Sequence, residues 1–173
     1  MESKACILTI RGCNMSNLTS EFVFKQEQAC ILSQFSLKDG HFLGQLLVEA
    51  AGDKVEKTAI SVSFGERIIY VRAGSETALE NDYWARRKRN VVHHHGHSSM
   101  FVRLANNCDE EEYYRMSGLD PAEYAIHGGG FPIVVNHVGL VGTVVISGLP
   151  MEEDHAICYE ALKRFKEAHG TRE

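Results

Sequence analysis

The stretch "RRKRNVVHHHGHSSM" places four basic side chains and four histidines between Arg86 and His97. Such residues can grip phosphate, bind a divalent metal or line an anionic pocket, and helical geometry separates these uses. At about 100° per residue, a helix over residues 79–95 carries Tyr83, Trp84, Val91 and Val92 on one apolar face. Arg86 and Arg89 point away from it, with Asp82 four residues before Arg86 offering an exposed pair. Arg87 and Lys88 fall inside the apolar sector. A charge buried alone costs several kcal/mol. The two cations must therefore snorkel along the helix, line a site for an anionic ligand, or pair across a subunit interface. The four charges wrap around the helix and form no stripe, which argues against a nucleic-acid partner.

His93 and His97, four residues apart, have the spacing of a metal pair. Gly96 interrupts that face, and no neighbouring cysteine or carboxylate completes a ligand set. His95 projects onto the apolar side.

Two further segments carry candidate chemistry. In "AIHGGGFPI", His127 precedes Gly128, Gly129 and Gly130, a turn that can adopt positive φ and bring backbone N–H groups close to an anion. In "VVISGLPMEEDH", Ser147 and Gly148 end a strand that leads into a helix N-terminus, a place that favours anions. Glu152, Glu153 and Asp154 already occupy that first turn, so capping is their simplest role. Asp154 and His155 could also form an acid/base or metal pair with His127. There is no Walker lysine, no GxSxG elbow and no cysteine in a catalytic signature. The residues name no reaction and no catalytic side chain.

The elements that position these residues read in the order α-α-β-β-α-β-β-α. A helix is expected over Asn17–Leu32 with Thr19 or Ser20 as cap, and a second over "HFLGQLLVEAAG" closed by Gly52. "TAISVSF" and "RIIYVRA" form a hairpin around "GE". The basic helix starts at Ser75 or Thr77. "NCDEEEYYRMSGLDPAEYAIHGGG" reads as turns with a short helix after Asp120-Pro121. "FPIVV" and "LVGTVVISG" make a second hairpin around "NHVG", and a helix from Pro150 closes the chain. Two hairpins without regular βαβ alternation predict an α/β (α+β) single domain, an antiparallel sheet flanked by helices. Residues 1–36 read as an N-terminal arm and helix, with "ACILTI" an edge strand or loose arm, and residues 37–173 as the domain proper.

A chain of 173 residues with 44% hydrophobic and 24% charged residues suits one soluble domain. Its formal net charge of −5 opposes bulk attraction to nucleic acid or anionic lipid. Five scattered cysteines without a CxxC pair suggest reduced thiols. With no signal peptide and no membrane span, a cytoplasmic location is expected.

"NDYWARRKRNVV", "GHSS", "LDPAEYAIHGGGFPI" and "GLVGTVVISGLPMEEDH", in this order and spacing, resemble the UPF0303 group. That group is similar in turn to the haem-degrading, GlcG-like and HbpS-like superfamily. The likeness runs from about Leu37 to Phe165, and the extra length before Leu37 resembles eukaryotic, particularly fungal, members. It implies a profilin-like fold that assembles into dimers and larger rings or double rings. It also implies a set of ligand or interface residues: Arg87, Lys88, Arg89, His97, His127, Gly128, Gly129, Gly130, Ser147, Gly148, Asp154 and His155. His95 stands where the group is usually aromatic, and the motif fixes no axial haem ligand. Two functional expectations follow. One is a non-enzymatic assembly or adaptor protein, with Glu153 or Asp154 of one subunit meeting the inward cations of another. The alternative is binding, or degradation, of haem or another small anionic ligand.

Overall fold

The computed structural model describes residues 18–170, so the run "ACILTI" lies outside the described residues. Helix α1 spans Ser20–Ala29 and α2 Asp39–Ala51, followed by a 3-10 turn over Gly52–Lys57. Strands β1 (Ala59–Phe64) and β2 (Arg67–Ala73) form the first hairpin. Helices α3 (Leu79–His95), α4 (Ser99–Ala105) and α5 (Glu110–Ser117) come next. Strands β3 (Gly130–Val135) and β4 (Gly139–Ser147) lead into α6 (Met151–Gly170). All pairings in the four-stranded sheet are antiparallel, in the order β2-β1-β4-β3. The expected fold class is therefore the observed one.

Three local readings need correction. The α3 cap is neither Ser75 nor Thr77. Ser75 donates to Glu56 and Thr77 to the Gly74 carbonyl, while the Ala78 N–H donates to Asn81 Oδ1 at 2.9 Å and starts the helix. The helix expected after Asp120 forms earlier, because Asp109 Oδ1 accepts the Glu112 N–H at 3.0 Å and caps α5. Asp120 instead holds a turn through the Ala122 N–H at 2.8 Å. Helix α4 arises from a stop and restart: Gly96, at φ 71°, ends α3, and Ser98 Oγ accepts the Phe101 N–H to cap the next helix.

The two faces of the sheet differ in kind, as strand alternation dictates. Ile60, Val62, Ile133, Val144 and Ile146 pack with Leu43 and Leu47 of α2 and with Ile157, Leu162 and Phe165 of α6 in the main core. Ser61, Ser63, Thr143 and Ser147 alternate with those residues and lie on the side of α3. Across it, Ser63 Oγ and Thr143 Oγ1 share a hydrogen bond of 2.8 Å. Large side chains thus fill one face, while mostly small polar ones, with Val145 among them, leave room on the other.

Helix α1 is joined to the body through polar contacts. Glu27, buried, accepts the Ser98 N–H at 2.7 Å and lies 2.7 Å from His97 Nδ1. Gln26 Oε1 meets His155 Nε2 at 2.9 Å. Removing the carboxylate with Glu27→Ala leaves a buried N–H without a partner, a loss of about 1–3 kcal/mol. Urea denaturation should show that loss, and hydrogen exchange should quicken at the Ser98 amide first. Glu27→Gln, which keeps an acceptor, should lose less.

Candidate functional site

Asn81, Trp84 and Lys88 follow one another at helical spacing along α3 and form one wall of an open cleft. Ser147 and Gly148 at the end of β4, the first turn of α6 and His127 complete it, enclosing about 500 Å³. That volume is within the usual range for small-molecule sites.

At the cleft's base lies the main electrostatic feature of the molecule. Lys88 is 4% exposed and Asp154 1%. Lys88 Nζ donates to Asp154 Oδ2 at 2.8 Å and to the Ile146 carbonyl at 3.0 Å. Burial pushes the Asp154 carboxyl above the usual carboxylate range, while Lys88 and the backbone N–H groups of Leu149 and Gly148 pull it back. The inward cation is therefore answered by its own chain. Asp154 meets Lys88 within one chain and not across subunits, and Glu153 bonds Lys54.

The glycine turn serves this pair. A Cβ on Gly129, at φ 115°, would lie 2.4 Å from the Ile146 oxygen and 2.8 Å from Lys88 Nζ. Gly130 donates its N–H to Ser99 Oγ at 3.0 Å, and Gly129 accepts from the Ile146 N–H. The Gly130 N–H is thus bonded internally and not presented to an anion. Gly128 is buried behind the cleft, where a Cβ would meet the Met151 carbonyl oxygen at 2.2 Å. Gly148, by contrast, is exposed at the rim.

Around the rim, Arg87 lies over the Trp84 ring, 4.3 Å from its centroid, and its Nη2 reaches the Tyr124 carbonyl at 3.4 Å. It flanks the cleft wall and does not enter the core, and its Nε is buried without a partner among the described residues. The ring of His127 meets Trp84 edge-on at 4.9 Å, and its Nε2 lies 3.0 Å from Glu110 Oε1. Burial holds His127 below the usual histidine range, with Glu110 working the other way. Glu110 is fixed in turn by Arg103.

The other candidates lie elsewhere. Arg89 faces a groove beside the first hairpin. Arg86 pairs with Glu123, not with Asp82, and Tyr83 is exposed, outside the apolar face predicted for it. His93 and His97 diverge to different carboxylates, Glu66 and Glu27. Among the described residues no three His, Cys, Asp or Glu side chains are grouped to hold a metal. His155 is buried between Gln26 and Phe131. Asn81, Glu110 and Arg103 were not anticipated. Asn81 was readable from its spacing to Trp84 and Lys88, whereas Glu110 reaches His127 only through the packing of α5.

Two measurements check this arrangement. Lys88→Met strands a buried carboxylate and should cost about 3–5 kcal/mol, most of it recovered in Lys88→Met/Asp154→Leu. The deficit of the single variant should shrink as pH falls, because its unpaired carboxyl takes up a proton in the folded state. His155 behaves in the opposite sense. Burial pushes it down to about 4, against about 6.5 in the unfolded chain. Its contribution is complete above about 6.5 and is lost as pH falls toward 4, about 3 kcal/mol in all. A pH series of denaturation curves should be flatter in His155→Gln over that window.

Among proteins of known sequence and structure, the chain matches the family model described as haem degrading protein HbpS-like over residues 35–163. It is 41% identical over 140 residues to a UPF0303 protein of Streptomyces avermitilis, covering 81% of this chain and 86% of that one. That relative is bacterial and adds nothing to the fungal-type expectation. The crystal structure of Ybr137w superposes with a TM-score of 0.80 at 27% identity, covering 88% of this chain and 90% of that one. The PduOC:heme complex superposes at 0.62 with 21% identity, covering 74% and 92%, a likeness of fold. By the family match and by its identity to the Streptomyces protein, the chain belongs to the UPF0303 proteins of the HbpS-like family.

Proposed function

We propose that this protein binds a small ligand that pairs a flat apolar body with an anionic group, haem being the first such ligand to consider, and that it does so in the cytoplasm. One observation carries the reading. An ammonium has three donors, and Asp154 and Ile146 occupy two of those on Lys88. Among the described residues the third has no partner, which leaves it for a group in the cleft, on a cation that its own chain holds in place.

The surrounding residues suit a haem. Trp84 offers an aromatic wall, Lys88 and Arg87 are the cations for its carboxylates, and His127 supplies an imidazole kept neutral by burial. A neutral imidazole whose other nitrogen meets a carboxylate is the form that ligates metals. When bound, the iron porphyrin would supply redox and oxygen chemistry. The chain's own contribution is to orient it and to pair its charges. Lys88 and Asp154 pair within the chain, which takes that one ion pair away from the assembly or adaptor reading. Among the described residues no helix is long and apolar enough to cross a membrane. Free Cys30, Cys108 and Cys158 suit a reducing compartment.

Haemin titration tests the proposal. The expected result is a saturable Soret shift at one haemin per chain, weakened roughly tenfold by Arg87→Ala, a change of about 1.4 kcal/mol. Trp84→Ala and His127→Ala should each alter the band. A shift that never saturates, or that all three folded variants leave unchanged, refutes the assignment.

A further inference from the structure

Ser147 ends β4 and is only 3% exposed, yet no group among the described residues bonds its hydroxyl. Its neighbour Ile146 faces the main core, so strand alternation turns Ser147 to the α3 side, where it lines the cleft. A hydroxyl this deep costs free energy unless water or a ligand in the cleft bonds it.

The first turn of α6 adds donors to the same wall. The Pro150 carbonyl accepts the Glu153 and Asp154 N–H groups at 2.9 and 3.0 Å, which makes Pro150 the cap. The N–H groups of Met151 and Glu152 have no acceptor among the described residues, and both residues line the cleft. Open N–H groups occur at every helix start; the buried hydroxyl beside them is what marks this one. Lys88 joins the set through the Ile146 carbonyl, which it bonds at 3.0 Å and whose carbon is joined to the Ser147 nitrogen. A hydroxyl, an ammonium and two backbone N–H groups thus meet one turn of α3 from Trp84.

Charge decides which anion suits them. Lys88 is the one cation lining the cleft, and Asp154 already neutralises it. Glu153 is bonded to Lys54, but Glu152 lines the cleft with no basic partner among the described residues. A phosphate dianion would therefore meet no uncompensated positive charge and one negative neighbour. A carboxylate brings a single charge and two acceptor oxygens, a number that these donors can satisfy by hydrogen bonding.

We propose that this corner of the cleft is a carboxylate subsite. Ser147 Oγ, the Lys88 ammonium and the Met151 and Glu152 N–H groups donate to the two oxygens of an aromatic carboxylate whose ring lies toward Trp84. The subsite rests on the reading of the cleft as a ligand site, and it requires neither iron nor a porphyrin.

The probe is naphthoate, followed in amide spectra of the whole protein, with naphthyl phosphate and naphthalenemethanol as controls. Naphthoate should saturably shift the Met151 and Glu152 amides and the indole N–H of Trp84, the single tryptophan. The phosphate and the alcohol should each bind about tenfold more weakly. Ser147→Ala should weaken naphthoate binding roughly tenfold with a folded spectrum, while Ser147→Thr, which keeps the hydroxyl, should stay within about threefold of the parent. The subsite is overturned if either control binds as tightly as naphthoate, or if the naphthoate shifts never saturate. It is equally overturned if Ser147→Ala binds as the parent does, or if the alanine and threonine variants lose the same amount. Haemin separates the two failures. If naphthoate is silent while haemin still saturates at Trp84, the subsite alone falls; if both are silent, the reading of the cleft falls with it.

Discussion

Burying Lys88 requires an acid within reach, and much of the molecule answers that requirement. Asp154 stands in the first turn of α6 and holds the ammonium at 2.8 Å, while its other oxygen accepts the Leu149 N–H at 3.2 Å. One carboxylate therefore joins α3, the end of β4 and the start of α6. Desolvating both charges is expensive, and a pair of this type is weak evidence for stability in itself. What it provides is position: a fixed cation at the base of an open cleft.

The sheet makes that position available. Its α2/α6 face is filled by large aliphatic residues, whereas the α3 face presents Ser61, Ser63, Thr143 and Ser147. Small side chains let α3 lie close enough for Lys88 to reach the Ile146 carbonyl. Gly129 completes the fit, since any Cβ there would collide with that carbonyl and with the ammonium. The same asymmetry leaves β2 uncovered where α3 does not extend. The cleft and the groove beside the first hairpin are thus two consequences of one helix lying on half a sheet face.

Much of this was legible in the sequence. Two hairpins, the cap of α1 at Thr19, the close of α2 at Gly52 and the inward placement of Lys88 follow from alternation, capping residues and helical projection. The projection failed for Tyr83 and Arg87, because it describes a face without saying what covers it. Arg87 instead stacks on Trp84 beside the segment that carries Tyr124. Local signals also misplaced the α5 helix, where Asp109 competed successfully with Asp120 as the cap. The roles of Glu27, Gln26 and Glu110 were not readable, since each meets a histidine 17 to 129 residues away only after the helices pack. That Asp154 would answer Lys88 within the chain, 66 residues apart, had the same cause.

The central claim is that Lys88 is a buried ammonium held by Asp154 with one donor left for a ligand. Nitrogen-15 spectroscopy of the lysine ammonium groups tests it most directly. The account predicts one slowly exchanging ammonium signal that Asp154→Asn abolishes and that haemin shifts ahead of the other lysines. A spectrum in which every lysine ammonium exchanges rapidly, or in which the slow signal is indifferent to both changes, would contradict it.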